Sequence, residues 1–177
     1  MSGAPTRDDP DAAQGAGLPP PVGPGDAAAM VLLQQFRVIL KAVKLHFQQV
    51  ERVTGVGGSQ VWALSLVAER PGMTVGELAR ELSVRQPTAS VLTRHLVQRR
   101  LIETVPNPED RRSVLLYPTA AGQLLLQRAP RPLHGVLPQA LAELDAATQQ
   151  RLIKDLSALI QAMGADPGGA GTPLDQL

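Results

Sequence analysis

Hydrophobic residues recur along most of this chain at helical spacing, and two short β-favouring runs break the pattern once. Between residue 27 and Thr54 there is neither proline nor glycine, and Leu32, Phe36, Ile39, Val43, Phe47 and Val50 fall at steps of three and four, the signature of one helical face. The pattern predicts a long amphipathic helix with Asp26 as its N-cap and Gly55-Val56-Gly57-Gly58 as its stop. Leu33 and Leu40 add a second apolar face, more than a lone domain needs, which points to packing against another subunit. Ser59 is placed to cap a second helix through Val61, Trp62, Leu66 and Val67. Pro71 ends that helix, because the residue before a proline avoids helical backbone. Thr74-Val75-Gly76-Glu77 has the form of a capping box, in which hydroxyl and carboxylate each satisfy the other's backbone donor. It opens a short third helix that buries Val75, Leu78, Ala79 and Leu82.

Ser83-Val84-Arg85-Gln86 reads as a tight connection, since Pro87 is tolerated only in a helix's first turn and fixes where the next helix begins. That helix runs to about Arg99. Ala89, Leu92 and Leu96 face inward, and Thr88, Ser90, Val91, Arg94, His95 and Gln98 face outward or lie at the boundary. Two short helices joined by four residues, the second basic on its outside, make a helix-turn-helix. Leu101 to Val105 and Arg112 to Tyr117 then favour strands, and Pro106-Asn107-Pro108-Glu109-Asp110 between them is dense in turn formers, so a β-hairpin with a charged tip follows. Thr119 starts a helical region through Leu124, Leu125 and Leu126 that Pro130, Pro132 and Pro138 interrupt. A last helix with Leu152, Leu156, Leu159 and Ile160 begins at Asp145 or Thr148.

Composition changes this picture mainly at the ends. Residues 1–26 carry six prolines and five glycines, and residues 164–177 are again rich in both, so both stretches are expected to be disordered tails. The formal net charge of +1 conceals a local asymmetry. Residues 85–100 hold four arginines and no acid, a cationic stripe suited to a partner whose negative charge is also local; a solvated helix face would explain the stripe taken alone. Cysteine is absent, which removes disulfides, thiolate metal sites and thiol switches. The N-terminus lacks the basic start and apolar stretch of a signal peptide, and no run approaches the ~18 apolar residues of a membrane span. The expectation is a soluble, cytoplasmic protein that does not enter membranes.

Other chemistry finds little support. His46, His95 and His134 have no neighbouring ligand at metal-binding spacing. Gly55-Val56-Gly57-Gly58-Ser59 lacks the lysine and preceding strand of a phosphate loop, and Ser59 sits in no nucleophile elbow. No catalytic site, metal or cofactor is expected. With Phe36, Phe47, Trp62 and Tyr117 as the whole aromatic stock, the chain also lacks the stacking platform of single-strand readers.

A hairpin directly after a helix-turn-helix places a charged tip beside the outward face of the second helix, where one duplex can meet both. The stretch Thr74-Val75-Gly76-Glu77-Leu78-Ala79, then Gln86-Pro87-Thr88-Ala89-Ser90, then Pro108-Glu109-Asp110-Arg111-Arg112 and Thr119-Ala120-Ala121-Gly122 resembles the signature of the MarR family of winged helix-turn-helix regulators. The resemblance is specific over residues 59–122 and looser over 27–163. It implies a mainly α fold with a small β-hairpin wing: a disordered tail at 1–26, an N-terminal dimerisation helix at 27–58, a DNA-binding lobe at 59–122, C-terminal dimerisation helices at 123–163 and a second tail at 164–177. It implies a homodimer on a pseudo-palindromic double-stranded operator, acting as a transcriptional repressor relieved by a small phenolic, aromatic or otherwise lipophilic effector. Transferred by position, it puts Arg85, Gln86, Thr88, Ser90 and Arg94 on the DNA face, with His95 on the same helix face. It sends Arg112 or Arg111 into the minor groove, with Asp110 orienting the arginines by an ion pair; a turn-stabilising salt bridge is the alternative for Asp110 and Arg112. Val91, apolar where the family is often polar, is suited to a thymine methyl. His46, Phe47 and Trp62 are the candidates for an effector pocket. Arg100, Thr104 and Pro118 depart from the family pattern, which has glycine, a basic residue and leucine there. The rival reading is a winged-helix protein-interaction module that does not bind DNA, for which Thr104 and the modest net charge are the support.

Overall fold

The computed structural model describes residues 27–176; the N-terminal tail with Asp26, and Leu177, lie outside the described residues. The elements run α1 (Ala27–Thr54), α2 (Gly58–Glu69), β1 (Met73–Thr74), α3 (Val75–Glu81), α4 (Gln86–Gln98), β2 (Ile102–Pro106), β3 (Val114–Pro118), α5 (Ala120–Arg128), α6 (Val136–Glu143) and α7 (Ala146–Ala162). The chain divides into two units at Gln35. The described part of the first is the opening turns of α1, on which Met30, Val31, Leu32 and Leu33 are exposed. The second unit carries the core.

α3, α5 and α7 begin where the local sequence supplies a side-chain partner for orphan backbone donors. Thr74 accepts from the Glu77 backbone N–H while the Glu77 carboxylate accepts from the Thr74 N–H at 2.7 Å, so the expected capping box is present. Thr119 caps α5 and Asp145, rather than Thr148, caps α7. Pro87 lies in the first turn of α4, where its missing N–H costs nothing. α2 departs from the expectation. Its N-cap is Gly57, which has no side chain to offer, and Ser59 lies inside the helix. The capping oxygen comes from Asp175, which accepts from the Ser59 N–H at 2.8 Å and from its hydroxyl at 3.0 Å.

The core is built where α2, α3 and α4 meet the sheet: Val61, Leu64, Val67, Leu78, Leu92, Leu96, Ile102 and Leu116 are all essentially inaccessible. The sheet has the order β1-β3-β2, antiparallel throughout, with Leu116 opposite both Met73 and Thr104. β1 was not foreseen. Two residues are too short to show an alternation, and their pairing exists only because β3 passes beside them. α5 closes over the end of the wing at Gly122, where a Cβ would run into the Leu101 carbonyl.

The glycine- and proline-rich residues beyond α7, expected to be disordered, instead form two 3-10 turns, Pro167–Gly171 and Leu174–Gln176, laid on the helix-turn-helix lobe. Small residues permit that close approach, as Gly168 and Gly171 against Arg85 show.

Candidate nucleic-acid interface

α3 and α4 meet through a left-handed residue, Ser83 at φ +54. Its N–H donates to the Arg80 carbonyl, and the Val84 N–H to that of Ala79. These bonds fix the exit from α3 and so the direction of α4. α4 turns Ala89, Leu92, Thr93 and Leu96 into the core. The opposite face presents Gln86, Val91, Arg94, His95 and Gln98, all exposed. Thr88 and Ser90 are half-buried, and the Ser90 hydroxyl donates to the Gln86 carbonyl at 3.0 Å, back-bonding within the helix. Among the described residues nothing hydrogen-bonds the Arg94 side chain, which stands free on the solvent side.

The helix ends at Arg99 and Arg100. Arg100 takes φ +57, so the left-handed cap survives without the glycine that such backbone favours, at a cost of order 1 kcal/mol. The Arg99 guanidinium donates to the Gly55 carbonyl at 2.8 Å and is thereby held against the end of α1.

The wing tip is ordered by its own polar residues. The Asn107 amide donates to the Ser113 hydroxyl at 2.9 Å, its carbonyl oxygen accepts from the Glu109 N–H at 3.0 Å, and the Ser113 N–H donates to the Asp110 carbonyl at 3.0 Å. Asp110 accepts from the backbone N–H of Arg112 at 3.0 Å. This Asx turn replaces the expected ion pair: the carboxylate is committed to the backbone two residues on, a local geometry that Asp favours in turns. The ion pair found among the described residues is instead Arg70–Glu81, at 3.1 Å on the surface. Arg111 and Arg112 are left exposed with no side-chain partner among the described residues.

Arg85, the N-cap of α4, is exposed but engaged: its guanidinium donates to the Gly168 carbonyl at 3.2 Å. This contact and the Ser59–Asp175 bonds join positions more than eighty residues apart and had no signal in the sequence.

Among the described residues, no one cleft is lined by all three of the residues named for an effector pocket. Phe47 borders a cleft of about 770 Å³ together with Lys44, Gly58, Arg99, Leu174 and Asp175. Trp62 borders a second, of about 400 Å³, with Leu66, Pro132 and His134, and its ring is 6.4 Å from that of His134. His46 lines neither, since its ring is tilted onto Phe47 at 6.1 Å. Burial pushes the His46 imidazole below its ordinary pKa, and the nearby Pro132 carbonyl, which favours the protonated ring, opposes that in part. Neighbouring positions of α1 point to different sides, which separates His46 from Phe47, and Trp62 lies on another helix, α2. Among the described residues no helix is long and apolar enough to cross a membrane.

Comparison with known proteins is consistent with this arrangement. Residues 54–113 match the family model described as the MarR family. No curated protein matches the sequence. Among solved structures, a MepR-like protein complexed with pseudoligands is 19% identical with a TM-score of 0.54, over 80% of this chain and 99% of the other. Streptococcus pneumoniae FabT in complex with DNA is 17% identical with a TM-score of 0.51, over 77% and 97%. A MarR variant from E. coli complexed with operator DNA is 23% identical with a TM-score of 0.52, over 72% and 95%. At these identities the likeness is one of fold. The three-stranded sheet, the helix pair and these likenesses agree on the fold: residues 54–113 match the MarR family model and lie within a winged helix-turn-helix.

Proposed function

We propose that this chain is a sequence-specific reader of duplex DNA that regulates transcription. The observation that carries the reading is the free, exposed face of α4, with Val91, Arg94 and His95, followed in the chain by a wing whose tip holds two exposed arginines, Arg111 and Arg112. A helix of this width fits the major groove, and arginines on a β-wing fit the narrower minor groove, whose negative potential they counter. The DNA-bound FabT and MarR structures share the fold and support the assignment.

In this reading Arg94 takes a base edge or a phosphate, Gln86 and Thr88 bond to the backbone or bases near the head of α4, and Val91 rests on a thymine methyl. Arg111 or Arg112 enters the minor groove. Two copies, joined through α1, α6 and α7, set two α4 helices on successive major grooves of a pseudo-palindromic operator. Control is repression, released when a lipophilic or phenolic molecule changes that spacing; the Trp62–His134 cleft offers aromatic surface for it.

The test is selection of bound fragments from a random duplex library, followed by affinity measurements on the selected site. Arg94→Ala is expected to weaken that site by about 1–3 kcal/mol and random DNA much less, because a base contact is lost. Arg112→Ala is expected to weaken sites with a narrow minor groove most. If two or three cations per subunit meet phosphates, the log–log salt slope of the dimer is about −4 to −5. Unchanged affinity in both variants, or a flat salt response, would refute the assignment.

A further inference from the structure

The C-terminal segment lies on the lobe that the function uses. Asp166 opens the first 3-10 turn by accepting from the Gly168 N–H at 2.8 Å, which presents the Gly168 carbonyl to the Arg85 guanidinium. Gly171 packs so closely on Arg85 that a Cβ there would stand 3.0 Å from its Cγ. Farther along, the Asp175 carboxylate sits at the N-terminus of α2, where the helix dipole and the Ser59 N–H and hydroxyl receive it. Leu174 and Asp175 also border the cleft that holds Arg99 and Lys44. Residues 164–177 contain two aspartates and no cation. A segment with two aspartates thus lies against the helix-turn-helix lobe and holds the side chain that heads α4.

We propose that residues 166–175 are an autoinhibitory strap: they hold Arg85 and must leave before a duplex can reach the head of α4. The inference rests on the DNA-binding reading above. The strap offers a carbonyl and a carboxylate to donors of the kind that DNA phosphates seek, so strap and duplex compete. A strap closed about nine-tenths of the time lowers apparent affinity about tenfold.

The test is charge-neutral and keeps the full chain. Gly171→Val places a branched side chain against Arg85 and lifts the strap, while Asp175 keeps its bonds to Ser59. Gly169→Val, at a strap glycine with nothing within 4 Å, is the control. Binding is read with a labelled random-sequence duplex of about 30 base pairs. Gly171→Val is expected to bind about tenfold more tightly than wild type, with a salt slope steeper by about one counterion per subunit, and Gly169→Val to match wild type. Amide exchange across 168–175 of the wild-type chain is expected to rise when the duplex is added. Equal affinity in wild type and Gly171→Val, or protection of 168–175 that persists on DNA, overturns the strap alone. Failure of every form to bind overturns the duplex reading and the strap with it.

Discussion

His46 shows how one side chain ties stability to pH. Its folded-state pKa is lowered, because burial penalises the imidazolium more than the nearby Pro132 carbonyl rewards it. The unfolded chain therefore binds the proton more readily, and stability rises with pH across the window between the two pKa values. The contribution is complete above the ordinary imidazole value of about 6.5 and is lost as pH falls through the lower folded value. Urea midpoints of wild type and His46→Gln at about pH 7.5 and about pH 5.5 measure this. The wild type is expected to lose more stability on acidification than the variant, and parallel slopes would contradict it. Arg100 illustrates the other residue-scale lesson. Its position at a helix end was legible from the pattern, but whether the chain would keep left-handed backbone there without glycine was decided by the bonds around it: the Arg100 N–H donates to Val97, the Leu101 N–H to Leu96, and the Arg100 carbonyl accepts from Thr119.

Among the elements, α5 and α3 carry glycines that look alike in sequence and behave oppositely. Gly122 starts α5 beneath the Leu101 carbonyl and beside Leu64, with no space for a methyl group. Gly76 lies in α3, and its nearest neighbour is the Thr74 hydroxyl at 3.9 Å. Gly122→Ala is expected to destabilise by about 1–3 kcal/mol through overpacking, and Gly76→Ala to stabilise by about 0.5–1 kcal/mol by removing backbone freedom from a helix. Thermal unfolding of the two variants decides this; the same sign for both would show that the α5–wing contact is looser than described. The wing, the helix pair and the capping box were legible because each depends on residues within a few positions of one another. Asp110 was misread at this scale. The family resemblance implied an ion pair with the neighbouring arginines, yet an Asp two residues before a backbone N–H closes its own turn first.

At the scale of the molecule, α1 and α7 leave much apolar surface uncovered. Ile39, Leu40 and Leu45 on α1, and Ile153, Leu156, Leu159 and Ile160 on α7, are exposed, which a monomeric protein rarely sustains in contiguous patches. Pairing of two chains through these faces is the expected state. Ile153 is 60% exposed, so Ile153→Glu should disturb a single chain by no more than about 0.5 kcal/mol while placing charge in the proposed subunit contact. Sedimentation is expected to show a folded species of half the wild-type mass, with DNA affinity falling alongside. Equal masses for both proteins would remove α7 from the interface.

The sequence by itself determined the helix-turn-helix, the wing and the caps of α3, α5 and α7. Their causes are local: helical periodicity, the reach of a Thr or Asp side chain to a donor three residues on, and the restricted backbone of proline. The tertiary structure alone decided that a two-residue strand would pair with β3, that Phe47 and Trp62 would border different clefts, and that the last residues would lie on the lobe. Asp175 caps a helix 116 positions away. No spacing in the chain announces such a bond, because its partners become neighbours only once the core between them has closed.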